Sequence, residues 1–326
     1  MRKPLLRIAF AAAALFSAVA YSSAARADYP ERAVKVIVPY SPGGPADLLA
    51  RYVAQKLATS LGQSFVIENK PGAGLVIGAD LAANSPPDGY TLFVGASSML
   101  MDSGARGRKP EDNLRDFAPI SLIASLPLVV VTSQALPVKN VRELIDYARK
   151  HPNDVNFGSS GNGSLTHLAG EVFNYMADVK MVHVPYRGIN EAMNDLIGNR
   201  VQVSFAGAPI ALPHAKTGKV RALAVTGATR ASSAPELPTV AEAALPGYDV
   251  NPWYGFLAPA ATPPAVLNKL HAEIARIMQG ADVKERWLGW GAEPAFSKQP
   301  AEFGALMRAE TDKWARLRRE GRIKLD

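Results

Sequence analysis

Short apolar runs alternate with stretches in which apolar residues recur every three or four positions, a strand period giving way to a helix period along most of the chain. Val34 to Tyr40 reads as a strand, Ser41-Pro42-Gly43-Gly44-Pro45-Ala46-Asp47 as a turn, and Leu48, Leu49, Tyr52, Val53, Leu57 and Leu61 as one face of a helix. The order repeats with a strand at 64–70, a turn at 71–74 and a helix from Ile77 to Asn84. The turn Pro86-Pro87-Asp88-Gly89 leads into a third strand at 91–95, which runs into Ala96-Ser97-Ser98. Residues 101–115 carry no apolar period and read as a loop. Ile120 to Thr132 is longer than a typical strand and is interrupted by Pro127, as expected of a chain crossing from one lobe to another.

A second series begins with a helix over Val141–Lys150 and a strand that ends in Gly158-Ser159-Ser160-Gly161-Asn162-Gly163-Ser164-Leu165-Thr166-His167. Leu168, Val172, Phe173 and Met176 continue that stretch as a helix. A strand at 181–186, a helix at 191–197, strands at 201–205 and 220–226 and a short helix start near Thr239 follow. Trp253 to Pro259 reads as the return crossing, and helices near 264–279 and 301–320 close the chain. This alternation predicts an α/β protein of helix-covered, mostly parallel sheets. The two crossings divide it into a first lobe of 28–125 with 251–326 and a second lobe of 126–250.

Two strand–turn–helix units, at 34–61 and 154–176, have turns suited to an anion. Glycine lets the backbone turn tightly and approach a ligand. The first helical turn offers unpartnered N–H groups and the positive end of the helix dipole. The candidate contacts are Tyr40, Ser41, Gly43, Gly44 and Asp47 on one lobe, and Ser159, Ser160, Asn162, Gly163, Ser164 and His167 on the other. Ser97 falls at the same strand ends, where ligands of such sheets gather. Arg187 is a cation beside a strand end, and Trp253 on the return crossing could cover a ligand's apolar part. Asp47 is equally suited to capping the first helix.

Other chemistry finds less support. The chain has no cysteine, which removes disulfides, thiolate metal sites and cysteine nucleophiles. Its five histidines are scattered, with no pair at ligand spacing, so no metal is expected. Gly158-Ser159-Ser160-Gly161-Asn162 fails the nucleophile-elbow pattern at its last position. An exported serine hydrolase using Ser160 or Ser164 with His167 remains the alternative from another class. Neither turn makes a dinucleotide fingerprint or a P-loop, and no cofactor is expected.

The first 27 residues change the charge and the address. Arg2, Lys3 and Arg7 precede an apolar run from Ile8 to Ala20, and Ala25-Arg26-Ala27 is a small-residue cleavage motif. That is the pattern of a secretory signal, too short to span a membrane. Cleavage after Ala27 places the mature chain in the periplasm and removes four cations and no acid, taking the formal charge from +7 to +3. Nucleic acid is then not expected as a partner, and the basic end from Lys313 to Lys324 reads as a solvated helix face.

Several blocks together resemble the Bug/TctC-type receptors, the periplasmic substrate-binding proteins of tripartite tricarboxylate transporters. They are Val38–Asp47, Glu68-Asn69-Lys70-Pro71-Gly72-Ala73-Gly74, Pro87–Leu92, Gly158–His167, His183-Val184-Pro185-Tyr186-Arg187-Gly188 and Trp253-Tyr254-Gly255, covering nearly the whole mature chain in order. The resemblance implies a monomeric two-lobed flytrap receptor without catalysis, presenting a small organic acid to membrane permease subunits. The alternative within binding is a protein that presents its ligand to a sensor kinase. It also implies that backbone N–H groups, hydroxyls and water at Tyr40–Asp47 and Ser159–His167 hold the carboxylate. Where the family usually has an Asp after the strand at 201–205, this chain has Ala206-Gly207, which disfavours an amino-acid ligand.

Overall fold

A computed structural model describes residues 29–72, 75–100 and 109–320. The signal segment, Asp28, Ala73-Gly74, most of the loop expected at 101–115 and the last six residues lie outside the described residues. The first sheet starts with β1 (Val34–Val38), α1 (Pro45–Leu61), β2 (Phe65–Asn69), α2 (Val76–Ala83) and β3 (Thr91–Ala96). After a 3-10 turn at Ser97–Leu100 come α3 (Pro110–Asp116) and β4 (Phe117–Ser125). The chain then enters a second sheet through β5 (Leu128–Ser133), α4 (Val141–Lys150), β6 (Asn156–Ser159), α5 (Leu165–Ala177) and β7 (Val182–Pro185). It continues with α6 (Ile189–Ile197), β8 (Val203–Gly207), α7 (Ala208–Lys216), β9 (Val220–Val225) and α8 (Val240–Ala243). The return is β10 (Trp253–Pro259), followed by α9 (Pro264–Met278), α10 (Ala281–Gly289), β11 (Glu293–Pro294) and α11 (Pro300–Arg319).

Strand order is β11-β4-β10-β3-β1-β2 in one sheet and β7-β6-β8-β5-β9 in the other. In each, the strands linked by helices pair in parallel: β2-β1-β3 and β7-β6-β8. The crossing strands add antiparallel pairs, β10 with β3 and β4, and β5 with β8 and β9. The sheets are therefore mixed. The run expected as one long crossing strand is two, β4 and β5, one in each sheet. The break falls at Leu126-Pro127, where proline cannot donate to a ladder.

Alternation along the strands sorts the core. Val36 and Val38 pack with Leu49, Val53, Phe256 and Trp287 on one face of the first sheet. Ile37 packs with Phe93, Leu257, Phe303 and Met307 on the other. In the second sheet Val130 joins Phe157, Leu168, Phe173 and Phe205, whereas Val129 and Val131 join Met193, Leu196 and Ala206. Ala206, fully buried against β5, thus belongs to core packing, and Gly207 is the residue at the strand end.

Four elements escaped the apolar pattern. Within the expected loop, Pro110–Asp116 forms α3, held at its start by proline and by the Asp112 carboxylate, which accepts from Lys109 N at 3.0 Å. α7 is disguised by Pro209 and Pro213. α10 with β11 is short and polar.

The lobes are joined at two strand crossings, where Leu126 N donates to Pro252 O at 2.7 Å. α11 makes a third connection. Its first half inserts Phe303 and Met307 into the first lobe, and its last turns insert Trp314 and Leu317 into the core of the second. The division expected from sequence gave this helix to the first lobe, but it is shared.

Candidate functional site

The turn between β6 and α5 is closed by its own hydroxyls. Ser164 is the N-cap of α5, its Oγ accepting from His167 N at 3.2 Å. Thr166 Oγ1 accepts from Ser160 N at 2.9 Å and lies within 3.0 Å of both Ser160 Oγ and Ser164 Oγ. Ser159, fully buried, accepts from Gly161 N at 3.1 Å. Gly161 (φ 112°) and Gly163 (φ 70°) take backbone conformations that residues with a Cβ avoid. Asn162 is exposed at the tip. Inside the helix the N–H groups of Leu165 and Thr166 have no carbonyl to reach, as in any first turn.

Two histidines floor this turn. His167 Nδ1 accepts from Gly163 N at 3.1 Å, which places its ring proton on Nε2, 3.7 Å from Glu171 Oε1. Its ring stacks on His183 with centroids 3.8 Å apart. His183 Nε2 is 2.6 Å from Ser159 Oγ. Burial first, then the neighbouring His167, lowers the His183 pKa to about 4, so His183 is neutral at neutral pH. The sequence named His183 only within a motif; the signal for its role is the β6–β7 register, which sets it beside Phe157.

This geometry bears on the hydrolase alternative. The lone pair His167 would need as a base is occupied by Gly163, and Ser160 and Ser164 pair with Thr166 rather than with imidazole. Ser159 and His183 do touch, but Ser159 is sealed from solvent, and among the described residues no carboxylate hydrogen-bonds His183.

The first-lobe turn is built differently. Gly44 is the N-cap of α1 and Pro45 its first residue, so Ala46 and Asp47 carry the first helical N–H groups. Asp47 is 1% exposed. Its Oδ2 accepts from Gly43 N and Arg51 Nε, both at 2.9 Å, and its Oδ1 from Asn69 Nδ2 at 2.8 Å. Burial works against its charge, but the bonds from Arg51, Gly43 and Asn69 outweigh it and hold the carboxyl below the usual range. Asp47 is thus engaged in closing the turn. Ser41 and Gly43 are exposed on its rim.

Beside that turn, Tyr40 OH lies 3.4 Å from Ser98 Oγ, and its ring meets Tyr254 edge to face at 5.8 Å. Ser97 is buried, its Oγ accepting from Trp253 N at 3.4 Å. Trp253 itself departs from the expected role as a ligand cover. It is 2% exposed, packed edge to face on Phe303, with Nε1 donating to Glu310 Oε2 at 2.8 Å. Strand alternation explains the difference: Tyr254, not Trp253, turns toward Tyr40. Arg187 is exposed, its backbone N–H donating to Glu191 at 3.3 Å.

Two α/β lobes with crossing strands, each carrying a glycine-rich turn at the C-terminal end of its parallel strands, define the periplasmic-binding-protein class. Residues 49–321 match the family model of the tripartite tricarboxylate transporter family receptor, and the chain belongs to that family. It is 35% identical to Protein BugT of Bordetella pertussis over 91% of this chain and 91% of that protein. Among solved structures it is similar to R. palustris Rpa4515 with adipate, at 34% identity and TM-score 0.71, covering 89% of this chain and 97% of that one. It is also similar to MatC from Rhodopseudomonas palustris with bound malate, at 30% identity and TM-score 0.66, covering 88% and 98%.

Proposed function

We propose that this protein is an exported solute receptor that holds a small organic acid between its lobes and delivers it to the permease of a tripartite tricarboxylate-type transporter. The observation that carries the reading is the β6–α5 turn. Three hydroxyls, two glycines at positive φ and the start of a thirteen-residue helix converge there without a cationic side chain. Membership of the receptor family supports it, as do relatives solved with adipate and with malate. The contacts we assign are Tyr40, Ser41, Gly43 and Gly44 on the first lobe, and Ser160, Asn162, Gly163 and Ser164 on the second. Asp47, Ser159 and His167 support the turns from beneath, and we assign to Arg187, an exposed cation just past β7, the clamping of a second carboxylate.

The N-terminal pattern supports export, with cleavage after Ala27, and among the described residues no helix is long and apolar enough to cross a membrane. Hinge closure over one anion would bring the two helix N-termini together. A thermal-shift screen of ligand-stripped protein tests the reading. An acid at a hundredfold excess over its Kd stabilises the fold by about 2.7 kcal/mol. Shifts confined to carboxylates, with no product formed, are the expected result. Shifts with amines or sugars and none with carboxylates would remove the reading.

A further inference from the structure

Asn162-Gly163 is the one Asn-Gly pair in the chain, and it lies at the tip of the β6–α5 turn. Asparagine is thermolabile because the next backbone nitrogen can close on its side-chain carbon to form a cyclic imide. Two barriers normally slow that closure. A side chain on the following residue shields the nitrogen, and the amide proton must leave before the nitrogen can attack. Both barriers are lowered in this turn. Gly163 has no side chain, and at its φ of 70° even an added Cβ would meet no atom within 4 Å. Asn162 is exposed, so water reaches the pair. The amide proton already rests on a base, since Gly163 N donates to His167 Nδ1 at 3.1 Å. The lone pair that is closed to Ser160 and Ser164 is aimed at this one proton. Behind it, Glu171 Oε1 lies 3.7 Å from Nε2, placed to hold the charge that His167 would gain. His183, stacked on the same ring, is neutral and adds no opposing charge.

We propose that Asn162 is a self-deamidation site, with His167 as the base that frees the Gly163 nitrogen for attack. His167 Nδ1 takes the Gly163 proton as that nitrogen bonds to Asn162 Cγ. The Cγ–Nδ2 bond of Asn162 then breaks, the proton passes to the departing nitrogen, and ammonia leaves behind a succinimide. Water from solvent opens either carbonyl of the ring, giving aspartate or isoaspartate at position 162. The product sets a carboxylate on the tip of a turn that the reading above assigns to a carboxylate ligand. On that reading, and only on it, the modified receptor rejects its acid by like-charge repulsion. The age of the protein would thereby limit its binding.

The purified exported chain, incubated in warm neutral buffer and followed by peptide mass and ammonia release, tests the chemistry without any ligand. Residue 162 should become the acid well ahead of Asn84, an exposed asparagine before Ser85 whose side chain donates to Asp80 O at 2.8 Å. His167→Gln offers Gly163 an acceptor without the base, and should slow position 162 about a hundredfold while leaving Asn84 within about twofold. Glu171→Gln, which leaves the bonds of the turn in place, should slow it several-fold. Faster conversion in either variant would mean that the hydrogen bond shields the Gly163 nitrogen, and would overturn the inference. Equal rates in all three proteins, or conversion of Asn84 ahead of Asn162, would overturn it too. Asn162→Asp, made directly, should bind any acid that shifts the melting curve at least ~tenfold more weakly. Unchanged affinity would remove the consequence for binding. If wild type binds no acid at all, the carboxylate reading falls, and ammonia release alone decides the chemistry at Asn162.

Discussion

Thr166 Oγ1 is the atom on which the second-lobe turn closes, meeting Ser160 N, Ser160 Oγ and Ser164 Oγ at once. Thr166→Val keeps the shape and removes the acceptor, leaving the half-buried Ser160 N–H unpaired. The expected cost is ~1–2 kcal/mol in urea denaturation, with weaker binding of any acid that shifts the melting curve. Thr166→Ser should recover most of both. Glu310 poses a different test, because burial first, and Asp249 more weakly, raise its pKa to about 7 against the opposing effects of Lys313 and the Trp253 indole. An acid whose folded pKa exceeds its ordinary 4.5 holds its proton more tightly in the folded state. Its contribution is fully present below pH 4.5 and is lost as pH rises through 7. Glu310→Gln should remove up to ~3 kcal/mol of pH dependence across that window, measured by denaturation between pH 4.5 and 8. At this scale residue types were legible and their directions were not. Asp47 reads equally well as a ligand contact or as a helix cap, and Trp253 reads as a ligand cover although it is core, because a sequence does not say which partners tertiary folding brings to a side chain.

At the scale of elements, the strongest periods transferred directly. β1 starts at Val34 as expected and ends at Val38, two residues short of the expected strand, and the helix over Val141–Lys150 falls on its expected bounds. α1 starts three residues earlier than its apolar face, since Pro45 suits a first helical turn. The elements hidden from the pattern are those stabilised by capping or proline geometry rather than by an apolar face, α3 and α7 above all. Close helix–strand packing was also invisible. At Gly170 of α5 an added Cβ would lie 2.2 Å from the Phe157 ring, itself fully buried against Phe205 and His183. Gly170→Ala should therefore destabilise the protein by ~1–3 kcal/mol, although alanine favours helix, and differential scanning calorimetry would show the lowered melting point.

At the scale of the whole molecule, two sheets and two strand crossings were legible because Pro127 and the Trp253 run stand out in an otherwise regular alternation. The third connection through α11 was not, since an amphipathic helix does not announce which core receives each turn. The lobes also meet away from the crossings. Glu293 on β11 accepts from Ser232 Oγ and, at 3.0 Å, from Ser233 N, and a Cβ at Gly291 would strike Pro209 at the start of α7. Glu293→Ala removes this bridge. It should speed acid release several-fold and raise the radius of gyration in small-angle scattering, the fold itself losing no more than ~1 kcal/mol.

In the proposed function, two glycine-rich turns read a carboxylate with dipoles and hydroxyls. The most direct measurement is a calorimetric comparison of an acid that shifts the melting curve with its neutral amide, identical in length and differing in charge. The account predicts saturable binding of the acid and at least a hundredfold weaker binding of the amide. Equal affinity for the two, or binding of the amide alone, would contradict it.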